Sequence, residues 1–426
     1  MGDFWRVIRQ PRFLALGDQC VISCSNFVSV LILGRNLKVD EFGFFSLAML
    51  TVIFISNLHR AFVTQPLNVL GADEDELRLA TRMTVLLSTH VLLVPAAIFL
   101  LVCVSVMFYP RMEMTAAAAI YLTASLLQET VRRYWYTVGR LDRAILTDGL
   151  SYGAQILVLF IAQWVVVLEA PLAFLLMAGC AFSGLLVGLI GIKRVGLAGM
   201  GDFRTVVSEH WKLSRWLILT VLALWASSQL YPFLIVKLGP VAVAWFAVTR
   251  NLLSAMHVVV QSVVNYLPSR AAFLLKTEGV EVFRRHAIRT SLHAALAAIV
   301  FILAMQLLAL PILHLLYGGI YDPAQWVLRI FAVGMLFSLV GAVLGCYSLA
   351  MHDSRSTFLA NLGSAVFTFT GGLWLIKEYG VYGATIAGCL SLAVATILQA
   401  GFFMAGIGRL SNTSLRARGA DAVADL

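Results

Sequence analysis

The stretch "LALGDQCVISCSNFVSVLIL", residues 14–33, is apolar enough to enter a bilayer and long enough to cross one, yet it carries an aspartate at position 18. A spanning helix needs about 20 mainly apolar residues. A carboxylate in the hydrocarbon costs roughly 3 kcal/mol or more unless protein or water shelters it. Wound as a helix, the stretch gathers Asp18, Gln19, Ser23, Ser25, Asn26 and Ser29 on one side. Cys20, Cys24, Phe27, Val28, Leu31 and Ile32 fall on the other. A lipid-facing helix has no use for the first side. It belongs against a water-filled cavity, or against other helices through interhelical hydrogen bonds.

Similar runs follow along the whole chain, at 13–34, 42–63, 83–108, 114–138, 145–167, 170–192, 214–236, 241–267, 289–315, 324–350, 356–376 and 381–405. The 426 residues are 60% hydrophobic and 12% charged. Soluble domains have about 45–50% apolar and about 25% charged residues. The sequence therefore predicts an all-α polytopic membrane protein of about twelve spans. Lys and Arg fix its orientation. If the amino terminus and alternate junctions share one side, that side holds 24 of the 31 basic residues and the other five; Arg250 and Arg329 fall inside spans. The positive-inside rule then puts both termini in the cytoplasm. The net charge of +9 follows from this bias and gives no reason to expect nucleic acid as a partner.

The long cytoplasmic junction 193–213 divides the chain into two six-helix lobes, 1–200 and 201–408, followed by a tail, 409–426. Both halves start on the same side, so a repeat between them is a pseudo-twofold along the membrane normal. The junction 268–288 reads as an interfacial amphipathic helix. "ADEDE", 72–76, reads as a solvated acidic loop, and "MGDFWRVIRQPRF" lacks the layout of a removable signal peptide. The six cysteines all lie in apolar runs and form neither a disulfide framework nor a metal spacing.

A second polar face lies in "WFAVTRNLLSAMHVVVQSVVNYLP", 245–268, where Arg250, Ser254, His257, Gln261 and Asn265 recur at helical spacing. Arg250 is roughly 13 Å into that span. Its guanidinium cannot shed its charge, so it calls for water, an anion or a structural carboxylate. In the fourth run Gln128, Glu129, Arg132 and Tyr136 share a face, with Glu129 spaced to pair with Arg132 or Arg133. Arg329 either snorkels outward or lines the outer half of a cavity. These faces nominate Arg250, His257, Gln261, Asn265, Arg329, Asn26 and Arg132 as substrate-binding residues and Asp18 and Glu129 as ion-coupling residues. No nucleophile constellation, metal triad or phosphate loop appears, so neither an enzyme nor an ATP-driven pump is expected, and no cofactor is implied.

At these residues the sequence resembles the polysaccharide-transporter branch of the multidrug/oligosaccharidyl-lipid/polysaccharide exporter superfamily, which includes O-antigen and exopolysaccharide repeat-unit flippases. The resemblance runs along nearly the whole chain. It rests on "GDQCVISCSNFVSVLILGRNLKVDEFGFFSLA" (17–48), where Lys38 replaces a usual glycine, and on "KLGPVAVAWFAVTRNLLSAMHVVVQSVVNYLPSRAA" (237–272). It continues in "LLYGGIYDPAQWVLRIFAVGMLFS" (315–338) and "YGVYGATIAGCLS" (379–391). It implies two lobes around a central cavity, alternating access, and coupling to protons or sodium. The implied substrate is a polyprenyl-pyrophosphate-linked oligosaccharide crossing a bacterial cytoplasmic membrane. Membrane lipids, a polymerase and glycosyltransferases are the implied partners. In the related drug exporters an aspartate on the first span is the coupling acid, and Asp18 has a similar place. Three alternatives remain: a cation-coupled multidrug exporter of the same superfamily, a polymerase or ligase of a glycan pathway, and a scaffold without transport. Short outer loops count against the enzyme, and arginines within spans against the drug exporter.

Overall fold

The computed structural model describes residues 11–424 except 73, 193–198 and 352. Side chains are described from Gln19 to Leu410, apart from those at 200, 255, 257, 265 and 354. Helices make up nearly all of it, and there is no strand among the described residues. Inside a bilayer no water is available to satisfy backbone groups, so long apolar runs close their own hydrogen bonds as helices.

In chain order these are α1 (Pro11–Asn36), α2 (Val39–His59), α3 (Glu76–Phe108), α4 (Met112–Thr137), α5 (Leu141–Asp148) and α6 (Ala170–Leu189). Then come α7 (Met200–Ser228), the short α8 (Tyr231–Ile235), α9 (Pro240–Thr277), α10 (Gly279–Tyr317), α11 (Gln325–Ala350), α12 (Ser354–Phe367) and α13 (Leu373–Ala424). Eight helices among the described residues are long and apolar enough to cross a membrane, or nine if α7 and α8, bent by 45°, form one broken span. This establishes a multi-pass membrane protein. The difference from the twelve apolar runs has three sources. α1 and α4 fall outside the set; α4 holds Gln128, Glu129, Arg132 and Arg133 in its second half. The last two runs are counted together as Arg355–Leu410, although Gly380, at φ 58° and ψ −129°, breaks the helix between them.

The expected interfacial helix at 268–288 is corrected. α9 continues to Thr277 through Pro268, and α10 starts at Gly279, whose φ of 83° makes the turn. Glu281 pairs with Arg284 at 3.0 Å and Arg285 at 3.5 Å, the spacing of a continuing helix. The segment is thus the ends of two long helices and not a separate element.

Packing divides the chain into two compact units, Met1–Leu222 with Gly239–Ala244, and Ala223–Leu238 with Trp245–Leu426. In unit 1 the core around Val63, Leu67, Met83, Leu86, Val131, Trp135 and Leu185 joins the segment 60–70 that follows α2 to α3, α4 and α6. Trp135 donates its indole N–H to the carbonyl of Gly188 at 2.8 Å. One turn earlier, a Cβ on Gly184 would stand 1.9 Å from Ser151 Oγ and 2.7 Å from the Thr147 carbonyl oxygen. Only glycine lets α6 come this close. Gly184→Ala should therefore destabilise the protein by about 1–3 kcal/mol, read as a lower unfolding temperature in detergent; an unchanged temperature would contradict this packing.

Each unit also bears a one-turn π widening in its fifth apolar run, at Gly149–Gly153 after α5 and at Thr368–Gly372 after α12. Such turns are rare inside helices. Both meet the first run of their own half. Ser25 on α1 donates to the Tyr152 carbonyl at 2.6 Å, and Thr368 donates to the Ser227 carbonyl of α7 at 3.1 Å. A third π turn, Arg60–Thr64, extends α2 toward the short helix Gln65–Leu70.

Candidate functional site

The polar side of α1 divides on folding. Ser25 and Ser29 are buried, Ser25 on Tyr152 and Ser29 accepting from Gln155 Nε2 at 2.7 Å. Gln19, Asn26 and Ser29 line a cavity of about 400 Å³ within unit 1. α2 contributes Ser56, Asn57, His59 and the neighbouring Arg60. α4 contributes Tyr121, Glu129, Arg132 and Arg133. Tyr152 and Gln155 close the side formed by the chain after α5. Leu33, Phe45, Val52 and Met177 make up part of the apolar remainder.

Ion pairs organise this wall. Glu129 lies one turn before both arginines of α4 and accepts from Arg132 at 3.0 Å and from Arg133 at 2.9 Å. Behind them Asp148, at the end of α5, is fully buried. It accepts from Arg132 Nε and, at 3.0 Å, from Gln128 Nε2. Arg132 also lies over the Tyr136 ring, 5.3 Å from its centroid. Two carboxylates thus hold Arg132, and one of them, Glu129, also holds Arg133. Arg60, exposed, has no ion-pair partner among the described residues. With Asp148 included, three guanidiniums face two carboxylates among the described residues of the cavity.

A histidine cluster adjoins this wall. His59 and His90 approach through their Nε2 atoms at 3.0 Å, with the Thr130 hydroxyl 3.3 and 3.2 Å from the two nitrogens. Both rings are buried. His59 also lines a second cavity of about 470 Å³, almost wholly apolar, among Leu58, Phe62, Leu93, Leu126 and Trp211. A wider bowl of about 560 Å³ lies apart from these, lined by Lys38, Glu41, Arg111, Glu113 and Glu169. There Glu41 accepts the Ala170 backbone N–H at 2.6 Å and anchors the start of α6.

Of the residues nominated from sequence, Asn26, Glu129 and Arg132 come together in the unit 1 cavity. The side chain of Asp18 lies outside the described ones, as do those of His257 and Asn265. Arg250, Gln261 and Arg329 are in unit 2. Arg250 is half-buried without an ion pair among the described residues, and Gln261 is exposed. Arg329 lies 4.6 Å from the Trp326 ring centroid, and its carbonyl accepts from Gln306 Nε2 at 3.0 Å. Sequence reasoning passed over Arg60, His59, His90 and Asp148. The charge count places Arg60 at a cytoplasmic junction; the polar group of Asn57, His59 and Arg60 within the apolar run 42–63 is the signal that marks it.

No protein-family model and no curated protein matches the sequence. Solved structures do match its fold. The lipid II flippase MurJ, in an inward closed conformation, superposes with a TM-score of 0.69 at 10% identity, over 97% of this chain and 93% of that one. An inward-facing multidrug resistance MATE family transporter of the MOP superfamily reaches 0.71 at 14% identity, over 92% and 95%. A MOP superfamily transporter from Pyrococcus furiosus, described as having a binding pocket of reverse polarity, reaches 0.62 at 13%, over 94% of each. Along nearly its whole length, this chain has the fold of the MOP-superfamily transporters.

Proposed function

We propose that the protein is a flippase that moves a polyprenyl-pyrophosphate-linked oligosaccharide across a bacterial cytoplasmic membrane by alternating access. In this reading the chain has twelve spans in two six-helix lobes, 1–200 and 201–408, with both termini in the cytoplasm. One observation carries it: the unit 1 cavity places Arg60, Arg132 and Arg133 with Asn26, Asn57, Gln19, Gln155 and two tyrosines, all on helices of a membrane protein. Guanidiniums suit a phosphate because their N–H groups fork onto its oxygens, and the amides and hydroxyls suit sugar hydroxyls. Arg250 and Arg329, together with His257, Gln261 and Asn265, are proposed as further substrate-binding residues in unit 2. Asp18 and Glu129 are proposed as ion-coupling groups. A glycan polymerase and glycosyltransferases are the proposed partners.

The second reading, a multidrug exporter, draws on the MATE fold likeness. A site for lipophilic cations calls for unpaired carboxylates, whereas Glu129 here is shared between two arginines. The reverse-polarity pocket described for the Pyrococcus furiosus protein is a precedent for pocket charge varying within this fold. Purified protein in liposomes should carry a fluorescent lipid-linked oligosaccharide to the opposite leaflet and leave ethidium behind. Ethidium transport without glycan transport would make the multidrug reading the right one.

A further inference from the structure

We propose that the joined ends of α9 and α10 bind an anionic phospholipid of the membrane, with Arg270 and Arg289 holding its phosphate. The proposal is independent of what the unit 1 cavity receives.

Each arginine ends an exposed apolar stripe. On α10, Leu292, Leu296, Leu303 and Leu307 are exposed and share one face by helical spacing; Arg289, also exposed, stands at the end of that face. On α9, Val259 and Tyr266 are exposed, and Arg270 and Phe273 follow on the same face, exposed as well. This is the side of α9 opposite Arg250 and Gln261, so Arg270 is no part of the polar face of that helix. Both helices contain segments long and apolar enough to cross a membrane. Exposed leucines on such a helix face lipid tails, which are as apolar as they are.

Helix length puts both guanidiniums at the membrane surface. Arg289 is roughly 42 Å of helix from Tyr317, and Arg270 roughly 45 Å from Pro240, the ends of α10 and α9 away from the Gly279 turn. A bilayer with both headgroup layers is about 40–45 Å thick. With Pro240 and Tyr317 at one headgroup layer, the two arginines lie in the other, and the turn with Lys276, Arg284 and Arg285 projects into water. Tyr266, one turn before Arg270, fits the aromatic belt of this boundary.

The two arginines also converge. Both lie within electrostatic reach of one imidazole, that of His286 on α10. His286 Nδ1 is hydrogen-bonded to the Tyr347 hydroxyl of α11, and Thr290 Oγ1 is 3.2 Å from the same hydroxyl. Glu281 is taken by Arg284 and Arg285, and Glu278, also within reach of His286, lies at the turn. Arg270 and Arg289 have no ion pair among the described residues. The Arg270 guanidinium lies 5.5 Å from the Phe273 ring centroid, which steadies its plane. Two planar forks are thus left at phosphate depth, at the head of a leucine stripe that takes an acyl chain. Phosphatidylglycerol fits, since it brings a phosphate without the cationic amine of a zwitterionic lipid.

The test uses the full chain, cysteine-free, with a bimane label on Leu292→Cys, in phosphatidylcholine bilayers. Quenching by brominated phosphatidylglycerol against brominated phosphatidylcholine gives the relative affinity of the two lipids beside this position. The expected preference for phosphatidylglycerol is about tenfold, falling about fivefold in Arg289→Gln and to near unity when Arg270→Gln is added. A label on Leu307→Cys, at the far end of the stripe, should show almost no preference. Lys276→Gln with Arg285→Gln removes the same charge from the turn and should keep most of the preference at Leu292→Cys. All four substituted residues are exposed, and Arg289→Gln alone decides the site if a double variant does not fold. No preference at Leu292→Cys, or the same preference at Leu307→Cys, overturns the site. Equal losses in the two double variants overturn it in favour of diffuse attraction by the whole turn. Full displacement of phosphatidylglycerol by an equimolar short-chain prenyl pyrophosphate overturns the assignment to a membrane lipid and gives the arginines to the substrate proposed above.

Discussion

Asp148→Ala is expected to destabilise unit 1 by about 3–5 kcal/mol, the usual cost of removing one member of a buried ion pair and leaving the other charged. Asp148 is fully buried, and the side chain of its partner Arg132 is 6% exposed. Gln128 Nε2 loses its acceptor as well. Glu129 remains on Arg132 but is shared with Arg133, so it does not replace the lost carboxylate. The double variant Asp148→Ala with Arg132→Met removes both charges and should recover much of the loss, since buried ion pairs replaced by apolar side chains are often neutral in stability. Chemical unfolding in detergent measures both. A loss under about 1 kcal/mol for Asp148→Ala would mean that water reaches Arg132 well enough to stand in for the carboxylate.

Arg60→Ala is expected to leave stability nearly unchanged and to weaken anion binding. Arg60 is exposed and outside the ion-pair network among the described residues, and substitutions at such positions usually stay within about 0.5 kcal/mol. A hydrogen bond to a charged group is worth about 1.5–3 kcal/mol, roughly tenfold to a hundredfold in affinity. Equilibrium binding of radiolabelled pyrophosphate should show this fall, and Arg60→Lys should keep part of the affinity, because lysine retains the charge without the planar fork. Equal affinity in wild type and Arg60→Ala would remove Arg60 from the site. Together the two variants separate the arginine that holds the lobe from the one left over for a ligand.

The fold was largely legible because apolar length is a strong signal. The run at 170–192 corresponds to α6 at Ala170–Leu189, and that at 83–108 to the later part of α3 at Glu76–Phe108. Periodicity also found the polar side of α1 and the Glu129 pairings of α4, since both are properties of a single helix. It did not find Asp148, whose meaning depends on Arg132 from another helix. It did not find the histidine pair, because His59 and His90 lie on α2 and α3 and meet only through tertiary packing. Nor does a period of 3.6 residues mark a π turn, which shifts the face of every later residue. Arg60, the first residue of such a turn, lines the cavity.

The central claim is that the unit 1 cavity receives an anionic, pyrophosphate-bearing lipid. Single cysteines at Asn26, Ser125 and Tyr152, which line it, and at Leu92, an exposed residue outside it, would be placed in a cysteine-free background. Their reaction with a water-soluble thiol reagent would be timed with and without a short-chain prenyl pyrophosphate. The account predicts that the pyrophosphate slows labelling at the three cavity positions, leaves Leu92→Cys unchanged, and has no such effect once Arg60→Ala is added. Unchanged labelling at the cavity positions, or protection by tetraphenylphosphonium instead, would contradict it.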